Sequence, residues 1–193
     1  AASFDQGIAN VPSYVLRLKP WLAYAKAKAG DIAAAQTLID QTPADCYPCL
    51  RVRGKIAALN QDWAGAARWF EMAAKQAPSL PFANAEWGEM LLAKGDADAA
   101  IVQLTEANLR GPHYADALEL WGEALMKKND FSGAVDHFKQ AAEYAPSWGR
   151  LQIQWGNALL RLGKTAEAKA RYDAAAKLEL VPSEKALLAS ASR

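Results

Sequence analysis

Residues 87–112 read WGEMLLAKGDADAAIVQLTEANLRGP and residues 121–146 read WGEALMKKNDFSGAVDHFKQAAEYAP, two stretches 34 residues apart that share their small, large and turn-forming positions. Working outward at the same spacing, Gly54, Gly88, Gly122 and Gly156 recur, and twelve residues after each stands Ala66, Ala100, Ala134 or Ala168. Four residues further come Phe70, Leu104, Phe138 and Tyr172, and three beyond those Ala73, Ala107, Ala141 and Ala175. Pro78, Pro112 and Pro146 close three of these repeats; in the fourth the place holds Leu180, with Pro182 two residues late. A fixed period of this length means that one supersecondary unit is stacked on copies of itself.

The spacing predicts two antiparallel helices per repeat, with the Gly of the first helix letting the second approach where Ala66 and its equivalents face it. The turn between them is marked by Gly95-Asp96, Asn129-Asp130 and Gly163-Lys164, a residue tolerant of left-handed geometry before a helix start. Gln61-Asp62 is read as keeping only the acidic cap. Ala and Leu dominate the apolar residues, which make up 52% of the chain, and β-branched residues are sparse, so the composition says all-α.

These residues resemble the tetratricopeptide repeat family, whose 34-residue helix-turn-helix unit carries a similar pattern of small, aromatic and terminal proline positions. The family's usual Trp lies four residues before the Gly, whereas Trp87, Trp121 and Trp155 lie immediately before it; they are read as enlarged core residues. The resemblance implies an all-α, right-handed superhelical solenoid of antiparallel helix pairs. Four full repeats are placed at 47–80, 81–114, 115–148 and 149–182, all in a single domain over 1–193. A degenerate repeat over 16–46 precedes them, after an N-terminal segment 1–15, with Ala23 in the place of the Gly. Pro20 is expected to kink its first helix or delay its start. Residues 183–193 are read as a capping helix over the last apolar face.

Lys and Arg total 22 against 21 acidic residues, so no basic excess points to nucleic acid or an anionic membrane. No stretch approaches the roughly 20 apolar residues that span a bilayer. The start AASFDQGIANVPSY lacks the basic and apolar regions of a signal peptide, and the compartment stays open. Cys46-Tyr47-Pro48-Cys49 is the one cluster with chemical character. It is read as a possible disulfide or a pair of reduced thiols, with a redox pair or metal ligands as lesser readings, because a redox C-x-x-C belongs in a strand-helix context. His113 and His137 have no spaced partner suggesting a triad or a metal site. No cofactor, metal site or catalytic residue is expected, and the protein is read as no enzyme.

A partner is expected on the concave side lined by the first helices, which implies protein or peptide binding. Counting from the glycines places Arg51, Lys55, Glu89, Leu92, Glu119, Glu123, Met126, Lys127, Ile153, Asn157 and Arg161 in this groove, with Phe82 and Arg150 at its lip and Leu92, Met126 and Leu160 as an apolar strip. Glu89 and Glu123 occupy faces where carboxylate-clamping members of the family carry basic or amide residues. The alternatives are a structural module that self-associates within a larger assembly and a redox protein built on the cysteine pair.

Overall fold

The computed structural model describes residues 12–191, and among these only helices and their connections occur. The helices are α1 (Pro12–Lys28), α2 (Ile32–Asp40), α3 (Tyr47–Leu59), α4 (Trp63–Gln76), α5 (Phe82–Lys94), α6 (Ala97–Arg110), α7 (Ala115–Lys127), α8 (Phe131–Tyr144), α9 (Gly149–Arg161), α10 (Thr165–Ala176) and α11 (Pro182–Ala191). They group into two compact units that divide between Lys94 and Gly95. In unit 1, α1 packs on α2 and α3, and α4 on α3 and α5; in unit 2, α7 packs on α6 and α8, α9 on α8 and α10, and α11 on α9 and α10.

The pairs α1–α2, α3–α4, α7–α8 and α9–α10 are each closed by a three-residue turn whose middle residue lies in the left-handed region: Gly30 (φ 89°), Gln61 (φ 59°), Asn129 (φ 62°) and Gly163 (φ 75°). Gln61 therefore keeps the turn geometry that its side chain does not favour. The cost of about 1–2 kcal/mol for a non-glycine residue there is offset in the same turn, where Asp62 N–H donates to the Ala57 carbonyl and Asp62 accepts from Gly65 N at 2.9 Å. Asp31 and Asp130 cap their helices in the same way, through Ala34 N and Gly133 N.

The aromatic ring, more than the facing alanine, explains the recurring Gly. A Cβ on Gly54 would stand 2.8 Å from the Phe70 ring, on Gly122 2.5 Å from the Phe138 ring, and on Gly156 2.4 Å from the Tyr172 ring. The alanines flank these contacts, with Ala66, Ala73, Ala134 and Ala141 fully buried. In the degenerate first pair Ala23, in the Gly position, shares a cluster with Ile39 and Ala35. An aliphatic side chain there leaves space for the extra methyl.

Pro20 lies inside α1, which begins at Pro12, so the helix does not start late. The Pro20 ring is among the most completely buried side chains, and that burial works against the missing backbone donor. Trp121 and Trp155 are half-buried and face the second helix: Trp121 stacks on His137 at 4.3 Å, and Trp155 packs against Arg171 at 4.2 Å. Arg53 and Trp69 hold the equivalent places in the first full repeat with the partners exchanged, 5.5 Å apart. Arg53 is buried and also donates to the carbonyls of Ile39, Thr42 and Pro43, closing the end of α2. No residue of α11 is buried; Leu180, just before it, covers Gly149, and Glu184 accepts from Arg150 N and Val181 N.

Candidate functional site

In unit 1 the first helices α1, α3 and α5 carry a cross-braced charge network. Arg51 Nε and one terminal nitrogen each donate to Glu86, at 2.8 and 2.6 Å. Lys55 Nζ reaches the same carboxylate at 3.2 Å and Glu89 at 3.7 Å. Arg51 lies over Phe82 at 5.0 Å, Tyr47 at 5.4 Å and Trp21 at 5.9 Å, and Lys55 lies over Tyr24 at 5.0 Å. Such faces add cation–π attraction to the ion pairs. Burial alone would lower the Lys55 pKa, but Glu86, Glu89 and Tyr24 outweigh it and hold the ammonium above its usual value. Burial raises the phenols of Tyr24 and Tyr47.

Beside the network lies a cleft of about 120 Å³, with Phe70 and Met90 buried, Tyr24, Leu59 and Ala93 along its sides, and Lys55, Glu86 and Glu89 supplying charge. Leu59 is 43% exposed and Trp21 38% exposed. Glu86, Tyr24, Trp21 and Tyr47 escaped the count from the glycines. The count sampled positions next to the groove axis, while Glu86 lies between neighbouring first helices. An opposite charge 35 residues earlier, at Arg51, was the available signal.

In unit 2 the expected residues separate by environment. Glu119 and Ile153 are fully buried, so neither side chain can touch a ligand directly; the position three before the Gly packs inside the stack. Leu92, in unit 1, is likewise buried at 6% exposure, which removes it as an exposed anchor. Met126 packs against the unit 2 core, while Leu160 is 44% exposed. Lys127 and Arg161 are exposed, Arg161 lying over Phe131 at 4.2 Å.

Glu123 is held by Arg150 and Gln154, each at 2.6 Å, and Asn157 joins Gln154 to Tyr172 through bonds of 2.9 and 2.8 Å. Arg150 Nε lies 3.1 Å from Glu119 Oε1, but neither Glu119 oxygen has a partner in hydrogen-bonding geometry. Burial, then the neighbouring Glu123, push the Glu119 carboxyl well above its ordinary range, with Arg150 opposing.

Cys46 and Cys49 come together at the start of α3 with Cα atoms 5.2 Å apart, and Cys46 Sγ accepts from Cys49 N as the helix cap. His113 packs beside Tyr144, and burial lowers the His137 imidazole. Among the described residues no group of three or more His, Cys, Asp or Glu could hold a metal ion, and no helix is long and apolar enough to cross a membrane.

The crystal structure of MamA shares 18% identity over 88% of this chain and 100% of its own, with a TM-score of 0.64. That of pilF from Pseudomonas aeruginosa shares 12% identity over 93% of this chain and 89% of its own, at a TM-score of 0.74. YrrB, described as a TPR protein with an unusual peptide-binding site, shares 14% over 98% and 97%, at 0.63. These likenesses show the fold. No curated protein sequence matches the chain. The tetratricopeptide repeat profile matches residues 86–147 and 153–191, more than half of the sequence. With the Gly–aromatic contacts and capped turns repeating through both units, the chain belongs to the tetratricopeptide repeat family.

Proposed function

We propose that the protein is a non-catalytic scaffold that holds a peptide or protein segment against the first helices of its pairs. Tetratricopeptide repeat proteins are generally interaction scaffolds, and stacked helix pairs of this kind offer extended binding faces. The observation that carries the reading is the unit 1 face. Arg51, Lys55, Glu86 and Glu89 brace neighbouring first helices, exposed Leu59 lines a cleft, and exposed Trp21 lies under Arg51. Exposed apolar side chains beside a braced network suit recognition, since little ordering remains to be done on binding. The described peptide-binding site of YrrB supports a peptide as the kind of ligand. In unit 2, Leu160, Lys127 and Arg161 are the exposed members of the expected set.

The test is affinity capture from a native lysate, comparing the wild type with a Glu89→Arg, Lys127→Glu, Leu160→Glu variant. All three side chains are exposed, so helicity by circular dichroism should be unchanged. Selective loss of a captured protein from the variant is the expected result. Identical capture by both proteins sinks the first-helix face as the binding site, and no capture by either removes the scaffold reading.

A further inference from the structure

Three charged groups line the unit 1 cleft, Lys55, Glu86 and Glu89, with Arg51 bonded to Glu86 behind them, and the four are unequally available. Arg51 is committed to both oxygens of Glu86, and the Arg51 and Glu86 side chains are only 14% and 9% exposed. Lys55 is 17% exposed and sits among Glu86, Glu89 and the Tyr24 ring. Glu89 differs: its side chain is 52% exposed, and its ion-pair contact with Lys55 is a long 3.7 Å. The cleft thus presents a carboxylate outward and keeps its cations inside. Next to that carboxylate, Tyr24, Leu59, Phe70 and Met90 line about 120 Å³ of largely apolar space in the open cleft. An apolar cavity of ~150 Å³ accommodates a benzene-sized group, so this one suits a single branched aliphatic side chain.

We propose that the cleft seats a leucine side chain of a partner peptide whose neighbouring residue is basic and pairs with Glu89. The proposal rests on the scaffold reading above and names the chemistry of its ligand. Leucine gains from burial of its isobutyl group against Phe70 and Met90. The basic neighbour answers the charge that the unit 1 network leaves at the surface. An acidic neighbour would meet Glu89 before it could reach Lys55.

Met90 supplies a built-in reporter, since the chain has three methionines and Met90 lines the cleft. The full chain, labelled with carbon-13 at its methionine methyls, is titrated with N-acetyl-leucyl-arginine amide, N-acetyl-leucyl-glutamate amide and N-acetyl-alanyl-arginine amide. The Met90 methyl resonance, assigned with Met90→Leu, is expected to move with the first peptide. Replacing arginine by glutamate should weaken binding by roughly threefold to tenfold, and replacing leucine by alanine by roughly tenfold or more. Glu89→Lys should reverse the preference between arginine and glutamate, and Ala58→Leu, which enlarges a side chain that lines the cleft, should abolish the response. A Met90 methyl unmoved by all three peptides overturns the proposal. Equal responses to the arginine and glutamate peptides overturn its charged half. Variant-sensitive capture from lysate with a silent Met90 removes the cleft assignment alone, whereas a selective Met90 response without any capture supports the cleft and removes the scaffold reading.

Discussion

Gly122→Ala should destabilise the protein although it places a better helix former in the middle of α7. The helix propensity gain favours alanine by about 1 kcal/mol. Against it stands the Phe138 ring, with three atoms at 2.5, 2.7 and 2.8 Å from the position of the new Cβ. Phe138 is fully buried among Leu118, Ala134, Ala141 and Leu151, so the ring cannot swing away without displacing the core. Overpacking of this kind costs about 1–3 kcal/mol, and the lack of slack puts it near the upper figure, a net loss of about 2 kcal/mol after the propensity gain. In a Phe138→Leu background the obstruction is gone, and the same substitution should stabilise by up to about 1 kcal/mol. The two effects therefore differ in sign, with a coupling of about 3 kcal/mol that a double-mutant cycle isolates from the cost of Phe138→Leu itself. Urea unfolding followed by helical circular dichroism measures all four proteins. If Gly122→Ala raises the stability of the wild type, or acts alike in both backgrounds, the Gly–aromatic contact is not what fixes the repeat.

Glu86→Gln should cost about 3 kcal/mol, the lower end for breaking a buried pair, because Arg51 and Lys55 keep 14% and 17% exposure; Glu71→Ala, which loses an exposed pair with Lys75, should cost under about 0.5 kcal/mol in the same urea assay. The raised pKa of Glu119 means that its folded state holds a proton that the unfolded chain releases near its ordinary value of 4.5, so its contribution is full below that pH and is lost as pH rises through the raised value. The difference in stability between Glu119→Gln and the wild type should accordingly grow with pH above about 4.5, and a flat difference would contradict it. Asp130→Ala should lower stability by about 1 kcal/mol while Asp130→Asn changes little, since both oxygen-bearing side chains can accept from Gly133 N. Alkylation of the denatured, unreduced protein should leave Cys46 and Cys49 unlabelled by mass, and reduction should expose both, as befits a disulfide across the start of α3.

The repeat was legible because its two strongest letters touch. A Gly and a large side chain sixteen residues later recur together, and in the structure each Gly lies under that side chain's ring at Gly54, Gly122 and Gly156. A pattern made by direct contact within one helix pair survives in sequence, because changing either member alone is costly. The loss of the left-handed turn at Gln61 and a late helix start at Pro20 are expectations that the structure does not keep, for the opposite reason. Each residue carries a local preference of only a few kcal/mol, and the surrounding turn at Asp62 or the burial around Pro20 works against it.

Charge on the first-helix faces is harder to read, since its meaning depends on contacts between repeats. Arg51, Glu119 and Ile153 all stand three residues before a Gly, yet Arg51 is paired at a partly open surface, whereas Glu119 and Ile153 are sealed. What separates them is the neighbour: Glu86 meets Arg51 from the next first helix, and Arg150 and Glu123 surround Glu119 within unit 2. The same carboxylate type is consequently a bridge at Glu86, an outward charge at Glu89 and a proton-binding group at Glu119. A helical count assigns each to a face, but desolvation and the sign of the nearest charge decide its state. Residues that bind a partner are therefore better sought where this balance leaves a charge exposed, as it does at Glu89, than where charges are most densely clustered.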